Sequence, residues 1–232
     1  MQLVILDYGS GNLRSVEQAV RRAVSDLAVD TNKPEISVSV VQDADAVARA
    51  DYIILPGVGH FADCWAGLNK IAGMAAMLEE QVRQKAKPFL GICVGMQLMA
   101  SRGFEGVETP GFDWIDGDVV PLEGGHDATG KALKIPHMGW NQLQINKPDH
   151  PIAKGLDHSD YMYFVHSYHM QLRATDALVA NTRYGHDVTA LVAKDNMVGT
   201  QFHPEKSQRT GQVILKNFLG WRPGNRQAAC DE

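Results

Sequence analysis

The chain has 232 residues, enough for one α/β domain with a full core, and its 44% hydrophobic and 21% charged content is ordinary for a soluble globular protein. A net charge of −5 leaves no basic footprint for nucleic acid, and no stretch approaches the length of a membrane span. The three cysteines, Cys64, Cys93 and Cys230, are scattered without a C-x-x-C pair, which excludes a disulfide framework or a zinc knuckle and leaves no metal site indicated.

The N-terminus, "MQLVILDYGSGNLRS", lacks the basic flank and long apolar core of a signal peptide, so a reducing, cytoplasmic setting is expected. Residues 3–6 are a short apolar run ending in the turn-rich "DYGSGN". A helix is predicted from Asn12 or Ser15 to about Ala23, with Leu13, Val16, Ala19 and Val20 on one face. "EISVSVVQ" alternates and reads as a strand. "DYIILPGVGHF" is an apolar strand closed by "PGVG", with one long helix expected over 61–85. "KPFLGIC" is the next strand and "GMQLMAS" the next helix. This β-α order argues for a parallel sheet with helices on both faces. Beyond residue 113 the texture changes to short strands and hairpins: "WIDGDVVPLE", "KALKIPHMGWNQLQI", "YMYFVHSYHMQL", "ALVANTRYG" and "TALVAKDNMVGTQFHPEKS". A last helix over 208–221 precedes a loose tail. The expectation is one domain over 1–221 with a tail over 222–232, and long loops at "SDLAVDTNKPE" and "EGGHDATGK".

Ligands of open parallel sheets gather at the carboxyl ends of strands, where Cys93 lies. The pattern Gly91-x-Cys93-x-Gly95 has the logic of a nucleophile elbow: a sharp strand-to-helix turn pushes the reactive atom outward, and side chains two residues away would clash. A helix starting near Gly95 would favour thiolate over thiol. Taken alone, the pattern fits a small buried cysteine equally well.

The histidines weigh on that choice. His126, His150, His158 and His186 lie in polar stretches and read as solvated. His60 follows "PGVG" and fits a helix start as well as a site. His166 and His169 are a weak metal pair, because their spacing in a strand points them to opposite faces. His203 in "GTQFHPEKS" is different. In extended chain, residues i and i+2 face the same way at about 6.6 Å, so Glu205 would stand beside the His203 ring, with Pro204 between them. A carboxylate beside an imidazole orients it and stabilises the imidazolium, giving a nucleophile, base and orienter set of Cys93, His203 and Glu205. The amide of Val94 and a donor from "PGVG", at Gly57 or Val58, are candidates for an oxyanion hole, although a tight turn alone would also call for those glycines.

"PFLGICVGMQ" followed by "QFHPEKS" resembles the class I glutamine amidotransferase family. "LDYGSGNLRS", "PGVGHFADC", "PHMGWNQL" and "YFVHSYH" resemble, within it, the glutaminase subunits of imidazole glycerol phosphate synthases. The similarity runs from Met1 to about Leu219. It implies a flavodoxin-like α/β fold with an antiparallel strand extension. It also implies hydrolysis of L-glutamine to glutamate and ammonia through a thioester on Cys93, with His203 moving protons and Glu205 orienting it, without a cofactor. Gly57, Gln97 and the backbone at Ser167 and Tyr168 would hold glutamine; for Gln97 an exposed helix glutamine is the plain alternative. The resemblance further implies a heterodimer with a (β/α)8-barrel cyclase, which takes the ammonia in histidine biosynthesis. Segments near Tyr8, Asn12 and Lys206 would lie at that interface, although Lys206 also reads as a solvated loop charge. The 25–35 insertion and the tail depart from the pattern. Rival readings are an amidotransferase serving another pathway, a catalytically silent domain on the same fold, or a peptidase or thiol-redox protein. A lone nucleophile without a resolving cysteine argues against redox work.

Overall fold

A computed structural model describes residues 1–31, 35–126 and 129–223. Four apolar runs of the first half form parallel strands: β1 (Gln2–Leu6), β2 (Ser37–Val41), β3 (Tyr52–Gly57) and β4 (Phe89–Cys93). β3 and β4 are buried at every position, as strands covered on both faces must be. Joining them are α1 (Leu13–Thr31), α2 (Ala44–Arg49), α3 (Phe61–Lys70) and α4 (Met74–Leu78); α4 runs on into a wide helical turn, Glu79–Gln84. A four-residue α5 (Val94–Gln97) follows β4.

The remaining strands are β5 (Ala100–Gly103), β6 (Thr109–Pro110), β7 (Ile115–Pro121), β8 (His137–Gln142), β9 (Gln144–Ile145), β10 (Tyr161–His166), β11 (Tyr168–Leu172), β12 (Leu178–Tyr184), β13 (His186–Lys194) and β14 (Met197–Thr200). A last helix, α6 (Gln208–Gly220), follows β14 after a short turn. The main sheet has the order β2-β1-β3-β4-β14-β13-β12-β9; β14 lies parallel to β4, and β13, β12 and β9 add on antiparallel. The mostly parallel centre and antiparallel extension are those expected. Right-handed crossovers that run in opposite directions along a sheet put their helices on opposite faces. β1 to β2 moves one way and β2 to β3 the other, so α1 and α2 cover different faces. Beside the sheet lie a β8–β10 pair and a four-stranded sheet, β11-β7-β5-β6.

Four local expectations are corrected. The first helix does not stop near Ala23; Val16, Val20 and Ala23 are buried one turn apart, and it runs on to Thr31 through most of the supposed loop. Residues 32–34 of that insertion, and the tail from 224, lie outside the described residues. The helix expected over 61–85 is broken over 71–73: Ile71 ends α3 in extended backbone, and Gly73, left-handed at φ 74°, starts α4. α2 was not foreseen, although Asp43 caps it by accepting from Ala46 N–H at 2.8 Å. The helix after Cys93 is one turn long, because Met99 O and Ala100 O accept from the backbone of Trp114, Ile115 and Asp113 and draw the chain into β5.

Candidate active site

Cys93 ends β4 with φ 55° and ψ −111°, a conformation that non-glycine residues reach only under strain. The flanking glycines explain how the turn fits. A Cβ on Gly95 would lie 1.8 Å from Leu55 O, and one on Gly91 would lie 2.5 Å from Gly95 O. The backbone of β3 therefore packs directly on the start of α5, and the elbow is held from both sides. Sheet register sets its neighbours: Gly57 of β3 stands opposite Cys93.

Cys93, Val94, Gln97, His203, His166, Ser167 and Tyr168 line one cavity of about 350 Å³. The structure thus brings together the candidate nucleophile, the candidate base and three of the four glutamine-holding candidates. His203 and Glu205 are joined, Nδ1 donating to Oε1 at 2.8 Å, with side chains 2% and 1% exposed. The backbone reason differs from that expected. Pro204–Lys206 is a 3-10 turn rather than extended chain, and it folds the carboxylate back under the ring. Ser207 fastens this turn: its Oγ donates to His203 O at 2.7 Å and accepts from Tyr163 N–H at 3.0 Å. Because Glu205 takes the Nδ1 proton, the neutral ring carries a bare Nε2. Burial alone would lower the His203 pKa; Cys93 in its thiolate form and the Glu205 carboxylate outweigh it and raise it to about 9, so the ring holds its proton once the thiol has ionised. No ordinary hydrogen bond satisfies Nε2 among the described residues, and the thiol is the acid beside it.

The two oxyanion candidates differ. Val94 opens α5, so its N–H has no partner inside the helix. Val58 N–H instead donates to Ser10 Oγ at 3.0 Å, and Ser10 donates back to Val58 O at 2.5 Å, with Cys64 Sγ 3.5 Å from the same oxygen. Ser10 and Cys64 line a second hollow of about 730 Å³. Residues 58–60 border both hollows and form the wall between them. Gly57 carries no side chain because Tyr8 Oη and Gly95 N would meet its Cβ at 2.7 and 2.8 Å.

Sequence reasoning missed other groups. Glu105 brings a carboxylate, only 11% exposed, to the cavity, held by Phe61 N–H at 2.7 Å and 3.5 Å from His60 Nδ1. His137, which no catalytic spacing marks in the sequence, is buried and paired across the strands with His166. The carbonyl of Tyr168 fixes their tautomers. It can only accept, so His166 Nδ1 donates to it at 2.9 Å, His166 Nε2 accepts from His137 Nδ1 at 3.0 Å, and His137 Nε2 accepts from Asn141 Nδ2 at 3.2 Å. Burial keeps both rings neutral, lowering His166 to about 3 and His137 to about 4. His166 therefore borders the cavity as a neutral ring, in contrast to His203, whose pKa is raised. His169 belongs to another neighbourhood, 5.4 Å from His186 between ring centres. Two of the histidines read as solvated are half-buried: His150 caps Ile152 N–H, and His186 begins β13. Among the described residues no group of three or more His, Cys, Asp or Glu is placed to hold a metal, and no helix is long and apolar enough to cross a membrane.

Residues 4–220 match the family model "Glutamine amidotransferase class-I". The chain is 48% identical over 223 residues to the imidazole glycerol phosphate synthase subunit HisH of Cereibacter sphaeroides, covering 96% of this chain and all of that one. The HisH subunit of Rhodopseudomonas palustris is 49% identical and that of Agrobacterium fabrum 47%, each over 226 residues, with 96% of this chain and the whole of the relative covered. Among solved structures, a glutamine amidotransferase superposes with a TM-score of 0.67 at 18% identity, covering 94% of this chain and 97% of that one. Another glutamine amidotransferase, from Thermotoga maritima, superposes at 0.62 and 13%, covering 94% and 96%. These two likenesses concern the fold alone.

Proposed function

The chain belongs to the class-I glutamine amidotransferases and, within them, to the HisH subunits of imidazole glycerol phosphate synthase, and from that premise we propose that Cys93, His203 and Glu205 carry its glutaminase reaction. The observation that supports this assignment is the buried 2.8 Å pair of His203 and Glu205 sharing a cavity with a cysteine on a strained elbow. His203 Nε2 takes the thiol proton, and the thiolate adds to the side-chain carbonyl carbon of glutamine. Negative charge then collects on the carbonyl oxygen, where Val94 N–H is available. The imidazolium returns the proton to the departing nitrogen, which leaves as ammonia, and the acyl group remains on sulfur as a thioester. A water, deprotonated by the same ring, releases glutamate and restores the thiol.

Gln97, Tyr168 and Ser167 line the place where the amino-acid end of glutamine would sit, and the Glu105 carboxylate supplies a counter-charge for its α-ammonium. The partner in this reading is a (β/α)8-barrel cyclase that receives the ammonia. Supporting this reading, Met138, Trp140 and Tyr161 are 63%, 46% and 48% exposed on the strand pair whose Val165 lines the cavity, and Lys206 lies over the Tyr163 ring at 5.7 Å. Large apolar side chains so placed mark an interaction surface.

The test is Cys93→Ala in the assembled synthase. Glutamine-dependent synthesis is expected to vanish while ammonia-dependent synthesis persists. Retention of glutamine-dependent turnover would overturn the assignment, as would loss of both activities.

A further inference from the structure

Sheet register brings one more side chain to the nucleophile. β14 runs parallel to β4 with Thr200 opposite Ile92, so the next step along both strands sets position 201 beside Cys93. Gln201 is fully buried, and both ends of its amide are engaged there. Nε2 lies 3.7 Å from Cys93 Sγ, and Oε1 lies 3.0 Å from Gln97 Nε2.

A backbone carbonyl decides which end meets the sulfur. Tyr168 O can only accept, so the Gln97 atom 3.0 Å from it is the NH2 group. That same NH2 meets Gln201, which must turn its oxygen there; the reverse orientation would set two donors against each other. The remaining end of Gln201, an N–H donor, then points at the thiol. Tyr168 O is itself fixed by the donated bond from His166. The assignment thus runs from a carbonyl that cannot rotate to the reacting atom.

We infer that Gln201 is a further catalytic residue of the glutaminase reaction, its amide N–H stabilising the Cys93 thiolate and its carbonyl tying the nucleophile to Gln97. The inference rests on the reading of Cys93 as nucleophile. Donation to an ionised sulfur is stronger than donation to a neutral one, so the bond favours the reactive form. Such help is needed because α5, with four residues, has little dipole to offer. No proton leaves Gln201 at any step: the thiol proton passes to His203, and the amide only follows the charge on sulfur. Gln97 lines the cavity, so one hydrogen-bonded pair couples substrate position to nucleophile charge.

The test uses the full chain and measures iodoacetamide alkylation of Cys93 against pH, resolved by peptide mass so that Cys64 does not contribute. Gln201→Met keeps the length of the side chain and removes the donor. The expected result is an alkylation rate about tenfold slower at neutral pH with the high-pH plateau unchanged, and a matching fall in glutaminase kcat. Gln201→Glu replaces the donor with an acidic acceptor at constant volume; it is expected to shift the profile the same way and carries the test if the Met variant does not fold. An unchanged pH profile in a folded variant overturns the inference, whatever happens to kcat, because a packing role would lower turnover without moving the titration. Failure of the underlying reading is separately visible, as glutamine turnover surviving in Cys93→Ala.

Discussion

Glu205→Gln probes the site at its least replaceable point. Glu205 Oε1 accepts the Nδ1 proton of His203, while its Oε2 is buried with no hydrogen-bond partner among the described residues. A glutamine in the same place has two orientations. With its oxygen toward Nδ1, its NH2 occupies the unpartnered position, and a buried donor without an acceptor costs about 1–3 kcal/mol. With its NH2 toward Nδ1, that nitrogen becomes the acceptor and the ring proton moves to Nε2, where it blocks proton transfer from the thiol. The second orientation is therefore favoured by roughly 5- to 150-fold, and most molecules hold the wrong tautomer. The lost charge adds to this. His203 is raised from 6.5 to about 9, about 3 kcal/mol in all, of which Glu205 is the second contributor after Cys93. Together these give a fall in kcat of about 10³-fold or more, in the range seen when an orienting carboxylate is neutralised in an acyl-transfer triad. The assay is glutamine turnover in the assembled synthase, with ammonia-dependent synthesis as the control that stays constant. A fall of less than tenfold would refute the tautomer argument.

The same pair makes a stability prediction with a definite sign. Because Cys93 and, after it, Glu205 hold the folded His203 pKa above its ordinary 6.5 against burial, the protonated ring stabilises the fold fully below pH 6.5, and that contribution is lost as pH rises through about 9. Melting temperature should therefore decline over that interval in the native chain and decline less in Glu205→Gln.

Other expectations follow from the surrounding geometry. Gly95→Ala forces a Cβ to within 1.8 Å of Leu55 O, a backbone atom in a central strand; a loss of about 3 kcal/mol and a fall in Tm of about 6 °C or more are expected by calorimetry, and a neutral result would mean that β3 and α5 do not press together. His137→Leu leaves His166 Nε2 without its donor and frees the ring to turn; KM for glutamine in steady-state kinetics is expected to rise about tenfold while kcat changes less, and unchanged KM would deny His166 a propping role. Ser10→Ala releases Val58 N–H; glutaminase turnover by the uncomplexed chain should rise about tenfold with little change in the complex, and an unaltered basal rate would show that Ser10 restrains nothing.

The parts of the site legible in the sequence were those whose reasons are local. Glycines on either side of Cys93 announce a turn that no side chain tolerates, and the two Cβ clashes are that statement in distances. His203 and Glu205 are two residues apart, so almost any tight backbone brings them together. This is why the pairing stands although the backbone is a 3-10 turn and not a strand. What stayed hidden depends on register between distant strands. His137 acts through His166, opposite it on β10, and nothing in "PHMGWN" says so. Ser10 reaches Val58 across 48 positions, and Gln97 reaches Gln201 across 104. The short α5 was missed for a similar reason. "GMQLMAS" has a helical composition, but its carbonyls find better partners in residues 111–115 than in a second turn.

The arrangement also bears on where a partner can act. Cys93, Gln97 and His203 are each at most 4% exposed, and their hydrogen bonds run to other buried groups. A docked protein can reach them only through the cavity that they line. Val58 differs: its side chain is 41% exposed, and both of its backbone polar groups are tied to Ser10, on the far hollow. Gly59 beside it has φ 99° with nothing within 4 Å of a Cβ, so the loop is free of side-chain packing where it must turn. Rotation of one peptide there would exchange a bond to Ser10 for one to a developing oxyanion, a change of comparable hydrogen bonds rather than a loss. Of the candidate oxyanion groups, Val58 N–H is thus the one that surface contact can reach, and Met138, Trp140 and Tyr161 are exposed on the strand pair whose Val165 lines the same cavity. Control of turnover is accordingly expected to reside in residues 56–60, with the triad left fixed in both states.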